Sequence, residues 1–212
     1  MSDIPLILFA KAPIAGKVKT RLATHCSNQQ CADIAQILLE VTIQKAIEFW
    51  PGRVVLSVFL DPQHPFLKNM LEQYDLELSL QIDGDLGVKM AAALNDYGYP
   101  VAVMGCDVPQ LTVDVLHQAH KMLARNEEVI GPAQDGGFYF LGVNQNSQDL
   151  LSKQKWGDDT VLQTTLTLAA RYRRRFEQLT QLRDIDVWDD LVLASEQVPA
   201  LKAYLDESML LG

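Results

Sequence analysis

The feature that most constrains this chain is a regular alternation. Short apolar runs of strand length are separated by longer stretches with helical spacing. "PLILF" (5–9) reads as a buried strand. The stretch "NQQCADIAQILLEVTIQKAIEFW" (28–50) carries Ile34, Ile37, Leu38, Val41 and Ala46 on one side, the period of a helix, and Pro51-Gly52 stops it. "RVVLSVFL" (53–60), "LELSLQI" (76–82, with clean alternation), "PVAVMG" (100–105), "EEVIGPA" (127–133) and "GFYFLGV" (137–143) read as further strands, and "YRRRFEQL" (172–179) as a late one. Helices are expected over 63–73, 86–97, 112–125, with Thr112 as the N-cap, and 158–171; from Trp188 on the chain reads as mostly helical. Strands alternating with helices of this length build a mostly parallel sheet with helices on both faces. No linker, repeat or low-complexity tract interrupts the pattern, so residues 1–212 are expected to form a single α/β domain. Sheets of this kind bind ligands beyond the carboxyl ends of their strands, at a topological switch point. The loops after the first, fourth and sixth strands are expected to meet there.

Charge is placed unevenly on this frame. The formal net charge is −9, yet Lys11, Lys17, Lys19 and Arg21 crowd into "FAKAPIAGKVKTRL" (9–22), and no Asp or Glu occurs between Asp3 and Asp33. The acidic balance argues against a nucleic-acid binder, which carries a basic field over the whole domain. A small anion needs only a few donors. "AGKVKT" fails the P-loop template, because no glycine stands at its first position and Val18 follows Gly16-Lys17. No GxGxxG fingerprint is present either. What remains is a loop of small residues edged by cations. Such a loop lets backbone N–H groups grip phosphate oxygens while Lys and Arg neutralise charge.

Four carboxylate-bearing segments are candidates for chemistry. In "VMGCDVPQLT" (103–112) an apolar strand ends and Asp107 emerges at the expected crevice. A carboxylate there can hold a hard cation such as Mg²⁺, or can bond its own turn. In "RDIDVWDDL" (183–191), Asp184 and Asp186 share one face of an extended stretch while Ile185 and Val187 share the other. Asp186 is also placed to cap the helix that follows. Asp135 in "GPAQDGGFYFLG" (131–142) belongs either to a simple hairpin turn or to a turn presenting a general base to an acceptor hydroxyl. In "DGDLGVKM" (83–90), Gly84 and Gly87 flank Asp85 just before a helix, whose first N–H groups could receive a phosphate or a sugar.

Other polar groups read as structural. Cys26, Cys31 and His25 match no common zinc spacing, and a set of three cysteines, with Cys106, is a poor disulfide framework. His117 and His120 read as a wet helix face, and Arg173–Arg175 as a solvated sheet edge. "MSDIPLILFA" lacks the features of a signal peptide and no apolar run reaches membrane-spanning length, so a cytoplasmic location is expected.

Taken in order, "FAKAPIAGKVKTRL", "GDLGVKM", "GCDVP", "GPAQDGGFYFLG" and "DIDVWDDL" resemble a family of bacterial glycosyltransferase-like proteins. Its members have the nucleotide-diphospho-sugar transferase (GT-A) fold, and some are arsenosugar-biosynthesis glycosyltransferases. The same superfamily includes the molybdenum-cofactor guanylyltransferase and the sugar-acid cytidylyltransferases. The resemblance runs from about residue 5 to 191. It implies a nucleotide over the first loop, with Lys11, Gly16, Lys19 and Arg21 around its phosphates and Gly84, Gly87 and Lys89 contributing from the second segment. It implies Mg²⁺ or Mn²⁺ held by Asp107 and Asp186, and it leaves Asp135 as the candidate catalytic base. The family's G-D-L-G-E-R-M reads Gly84-Asp85-Leu86-Gly87-Val88-Lys89-Met90, so the charge survives at Lys89 but a bidentate arginine contact does not. Val187 and Trp188 stand where the cytidylyltransferases have Thr and Pro. The implied function is a metal-dependent glycosyltransferase using a nucleotide-diphosphate sugar and a small-molecule acceptor. The alternatives are a nucleotidyltransferase, coupling a nucleoside triphosphate to a phosphorylated acceptor with release of pyrophosphate, and a non-catalytic sugar-nucleotide binder.

Overall fold

The computed structural model describes residues 3–208. Strands β1 (Leu6–Lys11), β2 (Val54–Phe59), β3 (Glu77–Leu80), β4 (Val101–Gly105), β5 (Glu128–Pro132), β6 (Phe138–Val143) and β7 (Phe176–Gln178) form one sheet in the order β3-β2-β1-β4-β6-β5-β7. β1 pairs in parallel with both β2 and β4, β2 with β3, and β5 with β7. β6 runs antiparallel between β4 and β5. The chain winds outward from β1 to β3 and then returns to β1's other side with β4. The switch point therefore lies between β1 and β4.

Helices α1 (Asn28–Phe49), α2 (Pro65–Tyr74), α3 (Leu86–Tyr97), α4 (Val113–Leu123), α5 (Gln148–Leu151), α6 (Val161–Arg171), α7 (Trp188–Ser195) and α8 (Pro199–Glu207) cover the sheet. Alternation along β1 assigns the faces. Leu6 and Leu8 join Leu39 and Ile43 of α1, Leu67 of α2 and Leu116 of α4 in one core. Ile7 joins Met90 and Leu94 of α3, Leu150 of α5 and Ala169 of α6 in another. A third cluster seats α7 and α8 on α1: Leu191, Leu201 and Leu205 pack with Ile34 and Leu38, and Ile185 is buried among them.

Local chemistry sets the helix starts. Ser27 accepts from Gln30 N–H and Gln30 Oε1 accepts from Ser27 N–H, a reciprocal cap for α1. Asp85 accepts from Val88 N–H, and Thr112 from Val115 N–H, as their sequence positions suggest. The third strand is shorter than its alternation implies, ending at Leu80. Beyond it the Gln81 side chain donates to Ala10 O at 3.2 Å and Ser57 O at 2.9 Å, tying the chain to β1 and β2.

Two groups that read as solvated are buried. His120 lies beneath the surface with its ring edge-on to Trp50, 5.1 Å between centroids. Arg174, at the amino-terminal edge of the sheet, forms a bidentate pair with Glu128 at the start of β5. Its side chain is 7% exposed and that of Glu128 8%. Arg174 also donates to Asn146 O and Ser147 Oγ, while Asn144 N–H donates to Glu128. Every arm of the guanidinium is used, so this arginine staples the edge of the sheet and is not part of a charged surface. Among the described residues, no helix is long and apolar enough to cross a membrane.

Candidate active site

A cavity of about 500 Å³ opens at the switch point. Phe9 of β1 and Val103, Met104 and Gly105 of β4 form its base, at the carboxyl ends of these strands. Asp107 follows β4, Asp135 sits in the turn between β5 and β6, and Asp184 and Asp186 come from the segment before α7. Residues from four distant stretches thus converge on one space.

The 183–187 segment is held at the cavity by two hydrogen bonds at Ile185, and Lys19 ties it to Asp107. Ile185 N–H donates to Asp107 O at 3.0 Å. Lys19 Nζ donates to Ile185 O at 2.6 Å and pairs with Asp107 Oδ1 at 2.8 Å. Because Ile185 points into the core, its neighbours Asp184 and Asp186 face the cavity together, as extended alternation requires. Asp186 is not the cap of α7. Val187 holds that position, and Asp190 accepts from the N–H groups of Asp186 and Val187. Its carboxylate is free of that duty, and Arg21 Nη1 lies 2.6 Å from Asp186 Oδ2.

Asp135, Asp184 and Asp186 each offer an oxygen within 4.8 Å of the others. Asp184 feels this most. Burial, then the charge of Asp135, with smaller pushes from Asp186 and Asp107, lifts its carboxyl to about 6. The Asp184 backbone N–H opposes the rise without cancelling it. Asp135 Oδ1 accepts from Gly137 N–H at 2.8 Å, which orients it within the turn. Gly136 has φ +90° and a Cβ there would strike Asp159 O, so the turn lies flat on the 157–160 loop. Among the described residues, six carboxylates line the cavity: Asp107, Asp135, Asp158, Asp159, Asp184 and Asp186.

The cationic loop divides between two jobs. Lys19, in the left-handed region at φ 46° and with a side chain only 8% exposed, is spent on Asp107 and Ile185. Arg21, second residue of the short 3-10 helix (Thr20–Thr24), has a side chain 67% exposed and lines the cavity. Lys11, Gly16 and Lys89 lie outside the lining, at the neighbouring β1–β2 end. Lys89 Nζ sits 3.1 Å from the centroid of the Phe59 ring. Burial, followed by the charge of Lys11, lowers its affinity for a proton, against an opposing pull from Asp83. Gly16 has φ +75° and Gly84 φ +137°, so both turns need glycine. Gly87 is buried: a Cβ would meet Leu151 O and Trp156 Nε1, so this glycine admits the 151–156 loop against α3. Its sequence role as a phosphate cradle therefore has a packing requirement beside it.

Asp184, Trp156, Asp158 and Asp159 also line the cavity, beyond the site residues expected from sequence. For Asp184 the signal was present in its shared face with Asp186. The 156–159 loop carries no local pattern that points to the sheet's carboxyl edge.

The sheet order, the switch point and the site between β1 and β4 define a nucleotide-diphospho-sugar transferase-like (GT-A) fold. The chain belongs to the family described as "Uncharacterized protein conserved in bacteria (DUF2064)", whose model matches residues 42–158. Among solved structures it is similar to a "putative nucleotide-diphospho-sugar transferase" from Desulfovibrio desulfuricans G20, with 27% identity, a TM-score of 0.85, and coverage of 99% of this chain and 97% of that one. It is also similar in fold to the Rv0371c protein of Mycobacterium tuberculosis H37Rv in complex with manganese (17% identity, TM-score 0.56, covering 93% of this chain and 100% of that one). The same holds for a CMP:2-keto-3-deoxy-manno-octonic acid synthetase complexed with CTP (10% identity, TM-score 0.55, covering 95% and 99%). No curated protein matches the chain.

Proposed function

We propose that the chain is a divalent-metal-dependent glycosyltransferase that uses a nucleotide-diphosphate sugar as donor. The observation that carries this is the convergence of Asp135, Asp184 and Asp186 within 4.8 Å at a cavity on the switch point, with Arg21 beside them. Carboxylate oxygens at that spacing fit a hard cation, whose oxygen ligands stand about 2.0–2.6 Å from it. The name of the Desulfovibrio relative and the manganese in the Mycobacterium structure support the same direction.

Asp184 and Asp186 are the residues proposed to hold Mg²⁺ or Mn²⁺, with Asp107 proposed as a further ligand, while Asp135, whose oxygen lies within 4.8 Å of those of Asp184 and Asp186, is proposed to act beside the ion as the base. When bound, such an ion neutralises the diphosphate as it departs. The remaining roles fall to the chain's own groups. Arg21 is the exposed cation that reaches the cavity, and its guanidinium is proposed to bond a phosphate oxygen of the donor. Lys19 positions Asp107 and the 183–187 segment. Lys11 and Lys89 stand at the neighbouring β1–β2 strand ends, where the nucleotide is proposed to lie, and Gly16, Gly84 and Gly87 are proposed to contribute to its binding, Gly87 through the packing of α3 it permits. Asp135 takes the proton of an acceptor hydroxyl as the acceptor oxygen bonds to the anomeric carbon. The bond from that carbon to the diphosphate breaks, and its electron pair leaves on the nucleoside diphosphate.

The test is a thermal-shift panel of nucleotide sugars and nucleoside triphosphates with and without Mn²⁺, followed by product analysis. Metal-dependent stabilisation by nucleotide sugars and release of nucleoside diphosphate are expected. Release of pyrophosphate from a triphosphate would assign nucleotidyl transfer instead. Asp135→Asn separates base from ligand: it is expected to keep Mn²⁺ binding and lose turnover, and loss of Mn²⁺ binding would move Asp135 into the metal's ligand set.

A further inference from the structure

Two kinds of surface share the cavity. Leu86, Met90, Phe138 and Trp156 give it an apolar, aromatic part. Trp156 is fixed in place: its indole N–H donates to Leu151 O at 3.2 Å, and its ring meets Phe138 edge-on with 6.0 Å between centroids. Leu86, at the first position of α3, is left 45% exposed although it borders this wall. Together with Phe138 and Met90, the held indole and the exposed leucine make this wall of the cavity apolar and aromatic.

The rest is acidic. Asp158 and Asp159 follow Trp156 within three positions, and they add to the carboxylates of the Asp184 group. Among the described residues that line the cavity, Arg21 is the one Lys or Arg, and it already faces Asp186. A phosphoryl group brought in as part of the acceptor would add negative charge to a space that has excess carboxylate. A hydroxyl can instead donate to those carboxylates.

We propose that the acceptor is an unphosphorylated, polyhydroxylated ring, of the sugar or cyclitol class, whose apolar face rests on Trp156 and whose hydroxyls donate to the surrounding aspartates. This rests on the transferase reading and deepens it. The carboxylates select by repelling phosphorylated competitors as much as by bonding the right acceptor.

The experiment is saturation-transfer NMR on the full chain with Mg²⁺ and no nucleotide, using a panel of methyl glycosides and cyclitols, each paired with its monophosphate. A neutral member is expected to receive saturation, to bind about tenfold or more tightly than its monophosphate, and to lose the signal in Trp156→Ala. Leu86→Asp, at an exposed position, is expected to weaken the same signal and serves if Trp156→Ala fails to fold. Asp159→Lys is expected to narrow the gap between the neutral ring and its monophosphate. Equal or tighter binding of monophosphates, a signal indifferent to Trp156 and Leu86, or silence across the neutral panel would overturn the proposal. Since no donor is in the sample, its failure leaves the Mn²⁺-dependent nucleotide binding to be judged separately, and failure of that binding leaves this result standing.

Discussion

The sheet carries ion pairs at both of its edges, and they are built to opposite rules. At the amino-terminal edge Arg174 and Glu128 are almost completely buried, doubly bonded to each other, and their remaining capacity goes to Asn144, Asn146 and Ser147. At the carboxyl edge Arg21 pairs with Asp186 and Lys19 with Asp107, while Asp135 and Asp184 stay close by with no ion pair to a Lys or Arg among the described residues. The first arrangement closes its charge balance inside the protein. The second leaves negative charge over, and Asp184, raised first by burial and then by the charge of Asp135, holds its proton to about 6. Surplus charge of this kind is a poor way to stabilise a fold and a good way to receive a cation.

Substitutions should separate the two edges. The largest effect is expected at the closed one. Arg174→Ala strands a buried carboxylate and should cost about 3–5 kcal/mol in urea unfolding, whereas replacing Arg174 and Glu128 together by apolar residues of similar volume should recover most of it. Lys19→Met comes next. It leaves Ile185 O and Asp107 with a lost donor and should cost about 1–3 kcal/mol, with weaker Mn²⁺ binding because the 183–187 segment loosens.

Asp184→Asn has the opposite sign. A carboxyl raised to about 6 in the folded state makes its ionised form unfavourable there. That penalty is absent below the ordinary carboxylate value, grows as pH climbs from about 4 to about 6, and is complete above it. In the absence of metal, Asp184→Asn should therefore stabilise the protein at pH 7 by about 1 kcal/mol, after allowance for solvent screening, and the gain should vanish near pH 4. Melting curves of the two proteins at both values check it. Arg21→Ala should move stability least, by less than about 1 kcal/mol, since its side chain is largely in water. It is nonetheless expected to weaken nucleotide binding, and that split between fold and function distinguishes it from Arg174→Ala.

The same contrast explains what could be read from the sequence. Strand and helix order follow from local apolar period, and the caps at Asp85 and Thr112 follow from residue type, so these were legible. Asp107 and Asp135 were placed because each ends a strand or turns a hairpin at a predictable edge. Partnership was not legible. His120 and Arg174 look solvated in their own segments, and partners far away in the chain, such as Trp50 and Glu128, account for their burial. The position of Asp184 depends on Ile185 docking against Asp107 and on a lysine 166 residues from its carbonyl partner. Trp156 reaches the cavity because Gly87 lacks a side chain, and no local periodicity encodes that.

The central claim is that the carboxyl edge is a metal and nucleotide site, and titration calorimetry with Mn²⁺ tests it most directly. In the presence of a nucleotide-diphosphate sugar the protein is predicted to bind Mn²⁺, and at a hundredfold the dissociation constant this should stabilise the fold by about 2.7 kcal/mol. Asp186→Ala should abolish both the binding and the stabilisation while leaving the fold intact. Mn²⁺ binding that persists unchanged in Asp186→Ala, or nucleotide binding indifferent to Mn²⁺, would contradict the account.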